Sequence, residues 1–371
     1  MASIEKRVLP SGRTRWLVRY RTPEGTQASQ TFDRKVDAEN WSAQNEVSKL
    51  DGTFVDRRRA AVTVGAWSGE WLKGKLNLAA TTKARYEDIL KVHIMPRWGT
   101  VRLSDVRHED VQAWLSDLKL GAASVRKTHR VLSMVLGYAV KSGRLAVNPA
   151  AGVNLPRVRA RQMRFLSDVQ VDVLAREVGE AWRLPVLFMA YTGVRVGELA
   201  ALKVVNLDLL HRRATIRESY SSVRGVMVLS DTKTHKPRQV PIPKFLVHDL
   251  NEQISGKGKD DLVFTGPRGA ILRPQTLLQT AFPKASKVLG LSPPLHPHEL
   301  RHTAVSLAIQ AGGDPKVIQQ IAGHATAAMT LDVYGHLMPD QLDAVADKME
   351  KNREKALRKA KKAAAGVVSI G

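Results

Sequence analysis

Between residues 13 and 33 apolar and polar positions alternate, in RTRWLVRYR and again in TQASQTFD, with the turn-like TPEG between them. Alternation predicts paired strands, because successive side chains on a strand point to opposite faces. KVDAENWSAQNEVSKL then carries Val36, Trp41 and Val47 as the apolar positions of a predicted helix. Residues 1 to 62 therefore predict a small β-sheet plus one helix. The basic polar run DRRRAAVT, residues 56 to 63, predicts a linker.

The period then changes. Val64, Trp67 and Trp71 mark one helix, TTKARYEDIL a second, HEDVQAWLSDL a third, and SVRKTHRVLSMVLGYAVKSG a longer fourth. Asn148-Pro149 and Asn154-Leu155-Pro156 close this all-helical stretch, residues 63 to 157. From 158 to 371 the pattern is mixed and mainly helical. SDVQVDVLAREV and LPVLFMAYTGVRVGELAALK predict helices, ATIRES, GVMVLS and RQVPI predict short strands of a small antiparallel sheet, and helices follow. The fold class expected is multidomain α+β, in three parts: 1–62, 63–157 and 158–371.

With 371 residues and 43% hydrophobic content the chain can bury real cores. It shows neither an N-terminal apolar targeting segment nor an apolar run long enough to span a bilayer, so a cytoplasmic protein is expected. The absence of cysteine excludes disulfides, thiolate metal sites and cysteine catalysis.

Charge narrows the picture further. Fifty-eight Lys and Arg against 35 Asp and Glu leave a formal charge of +23, which points to a polyanionic partner, DNA or RNA. Arg13, Arg15, Arg19 and Arg21 lie at even spacing, so a strand would place all four on one face, suited to a groove or a phosphate track. Lys83, Arg85, Arg126, Lys127 and Arg130 would give the helical module a cationic surface able to clamp a duplex. The tail KMEKNREKALRKAKK has a net charge of +6, with Leu342, Val345 and Met349 at helical spacing before and into it.

The chemistry gathers in the last section. HELRH, residues 298 to 302, satisfies the zinc-protease pattern H-E-x-x-H: on a helix His298 and His302 share a face, with Glu299 as a possible general base. The same string also places His298 and Arg301 at i and i+3. Upstream, Arg195 and Glu198 have that spacing, so the carboxylate can hold the guanidinium while its other donors point outward. SDTKTHKPRQVPI sets Lys233, Lys236 and Arg238 on a predicted hairpin turn, and IAGHATAAMTLDVYGH supplies His324 and, ten residues later, Tyr334.

In this order, Arg195, Lys233, H-x-x-R at 298 to 301, His324 and Tyr334 resemble the catalytic set of the tyrosine recombinases, the lambda-integrase family. The resemblance is strong over residues 190 to 336. It extends more weakly to the helical module and the N-terminal sheet, which look like the core-binding and arm-binding domains of phage integrases.

The resemblance implies that Tyr334 is the nucleophile of a phosphotyrosyl intermediate. His298 is then the candidate acceptor of its proton, and Arg195 and Arg301 hold the non-bridging oxygens. Lys233, with Lys236 as runner-up, protonates the leaving 5′-oxygen. His324 bonds a phosphate oxygen and Glu198 orients Arg195. Such a set needs no metal and no nucleotide cofactor, because the covalent linkage stores the bond energy.

A zinc site would place Arg301 beside a cation and leave Arg195, Lys233, His324 and Tyr334 unexplained. The sheet domain favours a temperate-phage integrase over a chromosome-dimer-resolving or transposon-type recombinase, and a non-catalytic DNA-binding protein is more distant. Partners implied are double-stranded DNA with core-type and arm-type sites, a homotetramer on synapsed DNA, a host DNA-bending protein and an excisionase.

Overall fold

The computed structural model describes residues 2–23, 25–51, 54–55, 57–158, 163–231, 237–323, 326–335 and 342–367. The chain divides into two compact units, Met1–Ala160 and Arg161–Gly371.

In the first unit β1 (Ser3–Val8), β2 (Thr14–Arg21) and β3 (Gln27–Phe32) form an antiparallel sheet in that order. One face meets α1 (Lys35–Leu50), with Tyr20 edge-on to Trp41 at 5.0 Å between ring centroids. The helix lies where expected but its inward positions differ. Val36 and Val47 are 60% and 56% exposed, whereas Ala38 and Asn45 are buried on either side of Trp41. Positions 38, 41 and 45 share a face of a 3.6-residue helix; spacings of five and six residues do not.

The expected linker is also more ordered than its composition suggests. It contains the helical turn α2 (Arg57–Ala60), where Ala60 is buried. Arg59 donates to the Ser142 carbonyl at 3.2 Å and Arg144 donates back to the Arg59 carbonyl at 2.5 Å.

The helical part of this unit follows the predicted pattern. It comprises α3 (Val64–Lys73), α4 (Ala80–Ile89), α5 (Met95–Trp98), α6 (His108–Asp117) and α7 (Ala122–Lys141). The second predicted helix runs on from α4 through a π turn into α5. Tryptophans fill the core: Trp98 meets Trp114 edge-on at 5.8 Å, and Trp67 stacks at 4.9 Å on Tyr138, which is exposed. Thr63 caps α3 by accepting the Ala66 amide, which fixes where the bundle begins.

The second unit opens with α8 (Asp168–Glu177), capped by Ser167, and α9 (Glu180–Thr192). The single helix predicted from 184 to 203 is two. Gly193, at φ +69°, ends α9 in the left-handed region, and α10 (Val196–Ala200) starts afresh. β4 (Leu207–Asp208), β5 (Arg213–Ile216) and β8 (Arg238–Pro241) form one sheet, while β6 (Glu218–Val223) and β7 (Val226–Asp231) form a separate hairpin.

The predicted hairpin around Lys233 is therefore corrected. The strands flanking that segment belong to different sheets, β7 pairing with β6 and β8 with β5. The missed strand β6, with its Ser-rich SYSSV, hid this pairing. After α11 (Val247–Ile254), α12 (Pro274–Thr276) runs through a π turn into α13 (Phe282–Val288). The chain then continues as α14 (Pro297–Gln310), α15 (Pro315–Ala322), α16 (Ala327–Tyr334) and α17 (Leu342–Val367). Phe188, Phe264 and Phe282 anchor the main core of the unit. A smaller cluster joins Val305, Ile309, Ile318 and Ala322 around Tyr334.

Candidate active site

The site is built on the break between α9 and α10. An uninterrupted helix would use the Gly193 carbonyl to accept the amide four residues on. The break leaves that carbonyl available, and Arg301 of α14 donates to it through Nη1 at 3.1 Å. The break also sets Arg195, in extended backbone, at the start of α10. Glu198 there takes the Arg195 amide at 2.8 Å and its Nη1 at 2.7 Å. The i, i+3 pairing predicted for Arg195 and Glu198 is thus present.

Glu198 has a second cationic partner that the sequence reading did not single out. Arg238, the first residue of β8, donates Nη1 and Nη2 to the two carboxylate oxygens at 2.9 and 2.6 Å. Burial would raise the Glu198 pKa. The hydrogen bonds and charge of Arg238, together with the charge of Arg195, outweigh it and hold the carboxyl down at about 2. The signal for Arg238 was its position beside the expected lysine, but only the pairing of β8 with β5 brings it to α10.

Two guanidinium groups bond this carboxylate and a third, that of Arg301, lies within reach of its charge, leaving an excess of positive charge. Arg301 is 2% exposed, and its Nη2 is buried without a hydrogen-bond partner among the described residues. Burial and the charge of Arg195 push its pKa down to about 9, which still leaves a cation at neutral pH. A buried cationic donor without an acceptor is costly, and an incoming anionic oxygen relieves the cost. The arrangement is a receptor for an oxyanion.

HELRH lies in the first turns of α14. The side chain of His296 caps the helix by accepting the His298 amide at 3.2 Å, and Glu299 accepts the His296 amide at 2.7 Å. His298 and His302 do share a face, edge to face at 4.9 Å. The remaining zinc-protease roles are occupied differently. Glu299 forms a bidentate pair with Arg164, at 2.7 and 2.9 Å, and His302 Nδ1 lies 2.5 Å from the Tyr334 hydroxyl. Among the described residues no cluster of three His, Asp or Glu side chains could hold a metal ion.

Arg164, which sequence reasoning missed, braces the first turn of α14 through Glu299. It also donates to the carbonyls of Pro293 and Pro294, and the adjoining Leu166 amide donates to Thr303 of α14. Phe165 packs toward Tyr334, ring centroids 6.3 Å apart. No local pattern marks Arg164, because its partner is 135 residues away.

Tyr334 ends α16 and is 1% exposed. Burial pushes its hydroxyl up to about 12, with the Arg301 charge acting in the other direction. Burial, then the charges of His302, Arg301 and Arg195, push His298 down to about 4. His302 is lowered too, by burial and Arg301. The structure therefore brings Arg195, Glu198, His298, Arg301 and Tyr334 to one place. Lys233, its runner-up Lys236, and His324 lie outside the described residues.

Outside this site, Arg15, Arg19 and Arg21 fall on the sheet face opposite α1, alternating with Trp16, Val18 and Tyr20. Arg13 precedes the strand and so is not part of the row. Two of the three carry acidic partners, Arg15 with Asp33 at 3.1 Å and Arg19 with Glu5 at 3.2 Å. Lys83 and Arg85 are exposed on α4, and Arg126, Lys127 and Arg130 are exposed on α7, where they line a groove of about 500 Å³.

Comparison with known proteins agrees with the site. The family model described as "Phage integrase family" matches residues 167–341, and that of the phage integrase N-terminal SAM-like domain matches residues 63–119. The chain belongs to the phage integrase family: it is a tyrosine recombinase, a site-specific enzyme that transfers DNA strands. It is 26% identical to the integrase of Mycobacterium phage L5 over 344 residues, covering 87% of this chain and 90% of the relative. It is 28% identical to tyrosine recombinase XerC of Actinobacillus pleuropneumoniae over 269 residues, covering 70% and 82%. In fold it resembles a lambda integrase, seen as a tetramer bound to a Holliday junction, with a TM-score of 0.59 at 20% identity, covering 91% of this chain and 95% of that one.

Proposed function

We propose that this recombinase is a temperate-phage integrase that joins and excises phage DNA at attachment sites through a 3′-phosphotyrosyl intermediate. The observation that carries the reading is the buried, open Nη2 of Arg301, in a site where Arg195 is held by Glu198 and Tyr334 closes the cluster. A phosphodiester oxygen fits that donor. Arg195 and Arg301 neutralise the charge that grows on the non-bridging oxygens as Tyr334 attacks. Lys233 protonates the departing 5′-oxygen, His324 bonds a phosphate oxygen, and His298 contributes a neutral imidazole. The phosphotyrosyl bond conserves the energy for religation, so neither metal nor nucleotide is required.

Residues 1–62 act as the arm-type DNA-binding domain, presenting Arg15, Arg19 and Arg21. Residues 63–157 act as the core-binding domain, with the α7 groove against the phosphates. The assembly is a homotetramer on two duplexes, in the host cytoplasm on nucleoid DNA, with a host bending protein and an excisionase setting direction. The phage reading is favoured over a chromosome-dimer-resolving one because the L5 integrase match spans 87% of the chain and the XerC match 70%.

Covalent trapping tests this. The protein is incubated in EDTA with nicked suicide duplexes made from DNA flanking its gene, quenched in SDS, and compared with Tyr334→Phe and Arg301→Ala. A protein-linked band is expected from the wild type alone. DNA binding is retained in Arg301→Ala while cleavage falls ~100-fold or more. A band from Tyr334→Phe would reject the assigned nucleophile.

A further inference from the structure

The resemblance assigns the tyrosine proton to His298, yet the imidazole on the Tyr334 hydroxyl is that of His302, one turn further along α14. His302 Nδ1 stands 2.5 Å from Oη, and the ring centroids are 5.8 Å apart and tilted by 49°. The contact joins α14 to α16, so it is tertiary and not a consequence of local spacing. His298 faces His302 edge-on on the side of the arginine cluster, where Arg195 and Arg301 act on it.

We propose that His302 is a catalytic residue: it holds the Tyr334 hydroxyl before cleavage and accepts its proton as the phenolic oxygen attacks phosphorus, leaving His298 to bond the phosphate. This rests on Tyr334 being the nucleophile. In the step, the Oη–P bond forms and the Oη–H proton passes to Nδ1. The P–O5′ bond breaks with its electron pair on the 5′-oxygen, which takes a proton from a separate acid, the role given to Lys233. The tautomer required carries its proton on Nε2 and leaves Nδ1 free to accept.

The titratable and charged groups that face His302 are consistent with this role. On its own helix these are Arg301, Glu299 and His298; from α16 it meets Tyr334. Glu299 is already paired with Arg164, so it does not compete for the His302 proton through an open carboxylate. Burial and Arg301 lower the His302 pKa, which keeps the ring neutral and able to accept at neutral pH. Burial raises the tyrosine, so an adjacent acceptor is what the hydroxyl needs to react there.

The test uses single-turnover cleavage of a suicide duplex by the full-length protein between pH 5 and 10. Wild type is compared with His302→Ala, His302→Asn, His298→Asn and Tyr334→Phe, each checked for folding by its thermal melt. The expected wild-type rate rises to a plateau as His302 loses its proton below the usual histidine range. Both His302 variants are expected to be slower at pH 7 by ~100-fold or more. Their rates should then climb about tenfold per pH unit, because the phenol must ionise unaided.

Asparagine can accept the hydroxyl hydrogen bond but cannot take the proton. A His302→Asn rate within threefold of wild type with an unchanged profile would reduce His302 to a positioning group and overturn the proposal. A duplex with sulfur replacing the bridging 5′-oxygen separates the two proton transfers, since a thiolate leaves without an acid. The His302 defect should persist on that substrate, and its disappearance would also overturn the proposal. Cleavage by Tyr334→Phe would instead reject the nucleophile on which the proposal rests.

Discussion

Arg238 closes a bidentate pair on Glu198, 2.9 and 2.6 Å across the two oxygens, and the same carboxylate holds Arg195 at 2.7 Å. A residue of β8 thus sets the position of a guanidinium on α10. Lysine at 238 would retain charge but lose the fork. Arg238→Lys is expected to slow covalent trapping by ~10-fold with DNA affinity little changed. Arg238→Ala, which removes the bidentate partner and leaves the buried carboxylate to Arg195 alone, is expected to cost about 2 kcal/mol in denaturant unfolding. Unchanged cleavage in Arg238→Lys would remove the residue from the positioning network.

The same carboxylate gives the protein a defined acid response. Its folded pKa of about 2 lies below its ordinary value of 4.5, so its stabilising contribution is complete above pH 4.5 and is lost as pH falls toward 2. The size is on the order of 3 kcal/mol. His298 acts in an earlier window. It is depressed from 6.5 to about 4, so the unfolded chain takes up the proton first and stability begins to fall below pH 6.5. Thermal melts from pH 7 to pH 3 should show both phases in the wild type. His298→Gln should reduce the slope from 6.5 to 4, leaving the part due to His302, and Glu198→Gln should reduce the slope below 4.5.

Gly323 ends α15 at φ +54°, and a Cβ built there would lie 2.9 Å from Arg238 Nε. Gly323→Ala therefore strains the backbone and pushes on the guanidinium that holds Glu198. The expected outcome is a loss of ~1 kcal/mol in stability with a disproportionate, ~10-fold loss of cleavage. Gly225→Ala is a suitable control, since Gly225 also has positive φ, +83°, but no atom lies within 4 Å of its Cβ. Equal cleavage losses in the two variants would argue against a route through Arg238.

The groove on α7 makes a separate prediction. Replacing Arg126, Lys127 and Arg130 with glutamine should weaken binding to core-type and unrelated duplexes alike, and lower the slope of log K against log salt by up to ~3 if each meets a phosphate. Filter binding at several salt concentrations measures this. An unchanged slope would remove the groove from the DNA-binding surface.

Helix periods, the run of helices in the central module, the charge excess and the ordered set from Arg195 to Tyr334 could all be read along the chain. The helix periods depend on local spacing, which apolar burial enforces wherever a helix packs; the charge excess is composition, and the ordered set was legible through its resemblance to a family. Trp67 and Trp71 are inward because a helix of that register has no other face to bury. Arg195 and Glu198 pair because a carboxylate at the third position of a helix reaches back to the residue that caps it.

Other features depended on elements far apart in sequence. Gly193 splits the apolar run by ending α9 in the left-handed region, and Ile321 and Ala304, far along the chain, lie 3.1 to 3.5 Å from where its Cβ would stand, so no larger residue fits the break. The pairing of β7 with β6 instead of β8 was hidden by the weak apolar signal of SYSSV. Arg164 reaches Glu299, and Arg238 reaches Glu198, across 135 and 40 residues. His302 offered the same helical spacing to a zinc ion as to a tyrosine. Which of the two it faces follows from the packing of α16 against Val305, Ile309 and Ile318, where burial of Tyr334 brings its hydroxyl to Nδ1.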